Sequence, residues 1–136
     1  MSDTNHEILF KGKTVVESKW VQGYYVCLNG KEHRIYTGYA ETDTGVYYPD
    51  CYTVCPETVC RYIDLTDKNG KGIFEGDICK DSLGHVFVVE WDAKNARFIG
   101  CAKINGERHI TYIGREPRVE IIGNIHDDNT AIFSLD

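Results

Sequence analysis

The stretch Asp64–Cys79 reads DLTDKNGKGIFEGDIC and contains two turn signals close together. The pair Asn69-Gly70 is typical of a hairpin turn, because both residue types accept the positive φ angles that such a turn demands. The pair Gly76-Asp77 indicates a second corner, between the short apolar runs around Ile73 and Ile78. No helix fits between corners this close, so the stretch predicts short β-strands joined by tight turns.

The same pattern extends through the chain. Thirteen glycines, three prolines and many Tyr, Val and Ile residues favour short strands joined by turns. Strands are predicted at Ile8–Phe10, Trp20–Leu28, Arg34–Tyr39, Arg61–Ile63, Val86–Trp91, Ala96–Cys101 and Val119–Ile125. Turns or corners are predicted at Lys11–Lys13, Asn29-Gly30, Tyr47–Asp50 and Asn105-Gly106. Pro56 followed by Glu57 predicts the one helical piece, of one or two turns.

These patterns predict a mainly β protein of short antiparallel strands. Residues 1–66 are expected to form a β-rich N-terminal part. Residues 67–136 are expected to form an SH3-like barrel, because about five short strands follow one another at the spacing of a small barrel. The chain length is that of a single domain, so we expect the two parts to form one compact unit.

Composition places the protein in the cytoplasm. No run approaches the roughly 20 apolar residues that a membrane span needs. The N-terminal residues Met1–Glu7 have neither the basic region nor the apolar segment of a secretory signal. We therefore expect no membrane partner. The formal charge of −6 argues against binding nucleic acid through bulk charge.

The six cysteines are predicted to be reduced thiols, because the chain has no export signal and is long enough to fold without disulfides. Zinc is the alternative for three of them. The spacing of Cys51 and Cys55 is permissible for zinc, but Cys60 is out of pattern. The fourth ligand would have to be His33, His85 or another cysteine. No second closely spaced pair completes the site, so no metal is predicted.

The acidic residues of the opening stretch have two chemical alternatives to a structural role, a calcium site and a catalytic pair. Asp67-Lys68-Asn69-Gly70 resembles the start of a calcium loop, but the later oxygen ligands and the flanking helices are missing. Glu75 and Asp77 form a carboxylate pair without a positioned histidine or nucleophile. We predict structural corners here, no catalytic residue, no cofactor and no enzymatic activity.

One segment of the chain is basic. Between residues 94 and 118, six Lys and Arg residues stand against Glu107 and Glu116. One interpretation is a solvated barrel face whose arginines pair with nearby carboxylates. The other is a single-strand nucleic-acid interface, in which Tyr112 stacks on bases and cations follow the backbone. Its candidate residues are Lys94, Arg97, Lys103, Arg108, His109, Arg115 and Arg118.

Several segments resemble the YopX family of phage and prophage proteins. They are Asp67–Lys71 with Ile73–Ile78, the closing Val119–Ile125, and Gly38–Asp43 through Pro56–Val59. The chain departs from the family pattern at Tyr62–Leu65, where the family has Tyr-Thr-Gly-Leu, and at Asp127–Thr130, where it has Asn-Pro-Glu-Leu.

The resemblance implies a phage or prophage origin, action in the cytoplasm of a bacterial host, and a β-rich fold that self-associates. It implies no enzymatic reaction. Our hypothesis is a non-enzymatic accessory protein that binds copies of itself or another macromolecule. The alternative is a nucleic-acid-binding module that uses residues 94–118.

Overall fold

The computed structural model describes residues 8–114 and 118–127, which are 63% strand. The predicted mainly β fold of antiparallel strands is confirmed, and the predicted helical piece is a single 3₁₀ turn, Pro56–Thr58. No helix in this described part is long and apolar enough to cross a membrane. The strands are β1 Phe10–Lys13, β2 Trp20–Leu28, β3 Glu32–Glu41, β4 Tyr47–Thr53, β5 Cys60–Thr66, β6 Gly72–Phe74, β7 Asp77–Asp81, β8 Val86–Asp92, β9 Arg97–Ile104, β10 Glu107–Tyr112 and β11 Val119–Asn124.

The chain divides into two compact units, Met1–Tyr62 and Ile63–Asp136, and the division lies within β5. In the first unit the strand order is β4-β3-β2-β1-β5, with antiparallel neighbours. Ile35 and Val54 are its most buried apolar side chains in the described residues. The predicted strand over β2 is confirmed at both ends, and Asn29-Gly30 follows it as a turn with positive φ at both residues.

Two predicted turns in this unit are wrong, because both segments are strands. Lys11–Lys13 belongs to β1, and Gly12 lies within this strand, where its lack of a side chain lets Ile35 pack close to the backbone. A Cβ added at Gly12 would lie 3.2 Å from Ile35 Cδ1. Tyr47–Asp50 belongs to β4, with Pro49 opposite Tyr39. An edge strand tolerates proline where its nitrogen faces away from the sheet, and β4 is at the edge.

In the second unit, five strands form an antiparallel sheet in the order β10-β9-β8-β7-β11. Its core consists of buried side chains from β5 to β8 and β11: Ile63, Ile73, Cys79, Phe87, Val89 and Val119. Strands β10 and β11 are the two edges of this sheet, so the barrel is not closed and the SH3-like detail is not confirmed.

The first corner of the opening stretch is built around the Asp67 carboxylate. Its Oδ1 accepts the N–H groups of Asn69 and Lys71, each at 2.9 Å, and its Oδ2 accepts the N–H of Ile121 at 3.1 Å. Of the pair predicted to turn here, Gly70 alone has a positive φ, 79°. The Asp67 carboxylate thus organises the turn and attaches it to β11, and backbone donors occupy the oxygens that a calcium ion would need.

The second corner contains a carboxylate with no solvent exposure, Asp77. Its Oδ2 accepts the N–H of Phe74 at 2.8 Å, across the turn from β6 to β7. Its Oδ1 accepts a hydrogen bond from Asn124 Nδ2 at 2.9 Å. Glu75 lies in the turn itself and is half-buried. Asp77 therefore joins the opening stretch to the closing strand, and no substrate can reach it in this conformation.

Replacing Asp77 tests this structural role. We expect Asp77→Ala to lower the free energy of unfolding by about 1–3 kcal/mol, because it removes the carboxylate that accepts buried hydrogen bonds from Phe74 N–H and Asn124 Nδ2. Urea denaturation followed by tryptophan fluorescence measures the change. The control is Asp43→Ala in the exposed β3–β4 turn, which should behave as the wild type. Equal midpoints for both variants would contradict the role given to Asp77.

The Asp67 carboxylate should make the stability of the protein depend on pH. Burial raises the pKa of its carboxyl, but three backbone N–H donors outweigh that effect and the pKa lies below its ordinary value. A group whose folded-state pKa is lowered stabilises the protein above its unfolded pKa, about 3.9, and loses that contribution as pH falls through the folded value. Unfolding free energies measured from pH 6 down to pH 2 should therefore fall more steeply for the wild type than for Asp67→Asn. Parallel curves would contradict this.

Candidate functional site

The residues predicted to form a nucleic-acid interface lie mainly on the β9–β10 hairpin. Lys94 is in the exposed turn before β9, and Arg118 directly precedes β11. Arg115 lies outside the described residues. The remaining four are Arg97 and Lys103 on β9 and Arg108 and His109 on β10. The turn between these strands, Asn105-Gly106, has positive φ at both residues, as the sequence predicts.

Strand register decides which of these side chains share a face. Arg108 lies opposite Lys103, and Arg97 is on the same face because alternate residues of a strand point the same way. The Arg97 guanidinium carbon lies 4.6 Å from the centroid of the Tyr112 ring. His109 lies opposite Ala102 and so belongs to the other face. The structure places these four residues on one face, with Arg97 against Tyr112 and Lys103 opposite Arg108, and puts His109 on the other face.

Two of these cations already have carboxylate partners on β8. Arg108 Nη2 lies 3.1 Å from Glu90 Oε1, and Arg97 Nε lies 3.3 Å from Asp92 Oδ2. Donation from the Asn95 side chain, with a further contribution from Arg97, holds the pKa of Asp92 below its usual range despite partial desolvation. The excess of positive charge counted along residues 94–118 is therefore offset by acidic residues of a strand that precedes the segment.

The candidate metal ligands do not converge. Cys51 and Cys55 are half-buried, Cys60 is buried, and all six cysteines are free thiols. Within residues 8–114 and 118–127, no three His, Cys, Asp or Glu side chains are close enough to hold a metal ion. Burial, together with the nearby Glu90, raises the pKa of the Cys101 thiol, which disfavours the reactive thiolate.

A groove of about 280 Å³ lies between the loop after β1 and the end of β4. The charged residues among its lining are Glu17 and Lys19, and Lys19 Nζ lies 5.8 Å from the centroid of the Tyr52 ring. Cys51 also lines the groove. The lining provides no histidine and no second carboxylate, so this groove lacks the partnered acid, base and nucleophile of a hydrolytic site.

An exposed tyrosine surface lies on the first unit, and the sequence alone does not reveal it. Tyr24 lies opposite Tyr36 across β2 and β3, and Tyr36 lies opposite Cys51 of β4. Cys51, Pro49 and Tyr47 alternate along β4 and so share a face, and Tyr39 lies opposite Pro49. Four tyrosines therefore lie on one face of the sheet, which we call the tyrosine face: Tyr24, Tyr36, Tyr39 and Tyr47.

The tyrosine face is open to solvent at three of its four positions. Tyr24, Tyr39 and Tyr47 are 57%, 76% and 68% exposed. The neighbouring Ile35, which points to the opposite face, is completely buried. Exposed aromatic residues grouped on one face of a sheet are the arrangement expected of a contact surface, because tyrosine is enriched at protein interfaces. The alternation of residues along β2 and β3 shows in the sequence which tyrosines share a face. It does not show which face of the sheet is covered.

Comparison with known proteins identifies the family of the chain. A family model described as YopX protein matches residues 9–132. No curated protein matches the chain. The matched range contains the Asp67 and Asp77 corners and the closing strand with Asn124, which the structure joins by hydrogen bonds. The chain belongs to the YopX protein family.

Proposed function

We propose that this protein is a phage- or prophage-encoded accessory protein that acts without catalysis, in the cytoplasm of a bacterial host. It works by binding another macromolecule and by associating with copies of itself. The observation that carries the proposal is the tyrosine face, because Tyr39 and Tyr47 expose large amphipathic rings to solvent on the same side of the sheet.

The placement of the acidic and thiol groups supports a role without chemistry. The carboxylate of Asp77 is buried among structural hydrogen bonds, and that of Asp67 is occupied by backbone donors. The groove beside β4 contributes one carboxylate and one ammonium group, with no histidine among its lining residues. Family membership adds the expectation of a phage setting, which the resemblance to YopX proteins implies.

The binding role is tested by replacing two tyrosines of the face. Wild type and Tyr39→Ser/Tyr47→Ser are used as bait in lysate from infected or prophage-bearing host cells, with and without nuclease. We expect the wild type to retain a nuclease-resistant protein partner and the double variant to lose at least about tenfold of it, because central aromatic contacts carry most of the energy of an interface.

The matched control for this experiment is Tyr48→Ser. Tyr48 is 46% exposed and adjacent to Tyr47, but strand alternation places it on the opposite face. It should retain the partner. Equal recovery by all three proteins would show that the tyrosine face does not bind the partner.

Nucleic-acid binding is the second candidate function. The observation that favours it is a pair of contacts on one face of the hairpin: Arg97 lies against the Tyr112 ring, and Lys103 lies opposite Arg108. Single-strand binders combine stacking rings and cations in this way, with affinity that falls as salt rises.

Gel retardation of a single-stranded oligonucleotide at low salt tests this candidate. Lys103→Glu/Arg108→Glu should weaken binding by about tenfold or more, since each phosphate contact contributes to affinity. Lys31→Glu, in the exposed turn before β3, is the control. If the wild type does not retard the oligonucleotide even at low salt, nucleic-acid binding is ruled out as the function of this hairpin.

A further inference from the structure

Strand β10 has the properties of an edge that another strand can join. All six residues of Glu107–Tyr112 are exposed. The strand pairs with β9 at six consecutive positions without a register shift, and among the described residues it has no strand on its other side. A regular, exposed edge presents a row of N–H and C=O groups for pairing with a further chain.

The other long edges are less suited to pairing. Strand β4 contains Pro49, which cannot donate a hydrogen bond, and the register of β3 with β4 shifts between Tyr36 and Gly38. The register of β11 with β7 shifts between Ile121 and Gly123. Proline and bulges are the features by which proteins prevent strand addition at an edge. Strand β10 has neither.

The hairpin turn determines which backbone groups of β10 point outward. Ile104 and Glu107 close a two-residue loop and therefore form a hydrogen-bonded pair. Hydrogen-bonded and non-hydrogen-bonded pairs alternate along an antiparallel ladder. The N–H and C=O groups of Arg108, Ile110 and Tyr112 therefore point away from β9, toward the open edge.

We propose that β10 pairs antiparallel with β10 of a second copy of this chain, in a two-fold register centred on Ile110. This inference rests on the proposed function and specifies the surface of its self-association. In this register Ile110 pairs with Ile110 of the second copy, and Arg108 pairs with Tyr112. The outward N–H and C=O groups of all three residues then form hydrogen bonds with the second copy. It joins two five-stranded sheets into one continuous ten-stranded sheet.

The side chains of β10 complement one another in this register. Ile110, which is 51% exposed, meets Ile110 of the second copy at the two-fold axis. Arg108 lies opposite Tyr112 of the second copy, and Arg97 already shows that this ring accepts a guanidinium. The two Arg108 side chains are four residues apart along the paired strands, about 13 Å, so like charges are not juxtaposed.

Pairing through one six-residue strand is expected to be reversible. A single strand pair buries less than the roughly 1,200 Å² at the lower end of stable interfaces. The average mass measured by light scattering should therefore rise with concentration, from the 15.5 kDa of the monomer toward twice that value.

Two isoleucines of equal exposure provide the first test. Ile110→Glu places two like charges at the two-fold axis and should abolish the rise in mass with concentration. Ile104 is also 51% exposed but lies on β9, away from the open edge, so Ile104→Glu should self-associate as the wild type does. Urea unfolding of both variants checks that each is folded.

Cysteine cross-linking tests the register itself. In the proposed dimer, His109 lies opposite Thr111 of the second copy in a non-hydrogen-bonded pair, with Cα atoms about 4.5 Å apart. That distance permits a disulfide. His109→Cys and Thr111→Cys are prepared separately with Cys27→Ser, which removes the exposed native thiol. Oxidising the mixture should yield cross-linked dimer, whereas either variant alone places its new cysteines roughly 8 Å apart and should yield much less.

Each outcome decides a different point. A wild type that stays at 15.5 kDa up to its solubility limit overturns the inference and the self-association part of the proposed function. An oligomer that persists in Ile110→Glu, or equal cross-linking in mixed and single variants, overturns the inference alone. Partner capture through the tyrosine face is unaffected by either result.

Discussion

The hydrogen bond between the buried carboxylate of Asp77 and the amide of Asn124 is the constraint on which the second unit depends. A carboxylate without solvent exposure is tolerated only if its oxygens are satisfied, and here Phe74 and Asn124 donate to them. These donors come from the last residue of β6 and the last residue of β11. One side chain therefore fixes a tight corner and attaches the closing strand to it, while Asp67 makes a second attachment through Ile121.

This use of the acidic residues has a consequence for function. The side chains in the opening stretch that suggested a calcium loop or a catalytic pair are occupied by internal hydrogen bonds. Two exposed features of the described part of the molecule are open to other molecules: the tyrosine face of the first unit and the edge of β10 in the second. Both suit binding better than chemistry, because neither brings acid, base and nucleophile together.

Local sequence predicted the features that depend on local physics. Asn105-Gly106 turns because its two residues accept positive φ, and β2 follows from a run of strand-forming residues. Features that depend on distant neighbours were not predictable. The sequence around Gly12 predicts a turn, yet Gly12 lies in β1 close to Ile35. Pro49 predicts a corner, yet it lies in an edge strand.

The candidate sites show the same distinction. The net charge of residues 94–118 leaves out Glu90 and Asp92, because both precede that segment in the sequence. They meet Arg108 and Arg97 only because the strands pair in the folded protein. The tyrosine face is assembled from three strands, and no single segment reveals which face is solvent-exposed.

The central claim is that the family motifs are joined to one another by buried hydrogen bonds, and a double-mutant cycle on Asp77 and Asn124 tests it most directly. Unfolding free energies are measured for the wild type, Asp77→Ala, Asn124→Ala and the double variant. We expect the double variant to lose about 0.5–3 kcal/mol less than the sum of the single losses, because one interaction is removed in both. Additive losses would contradict the claim.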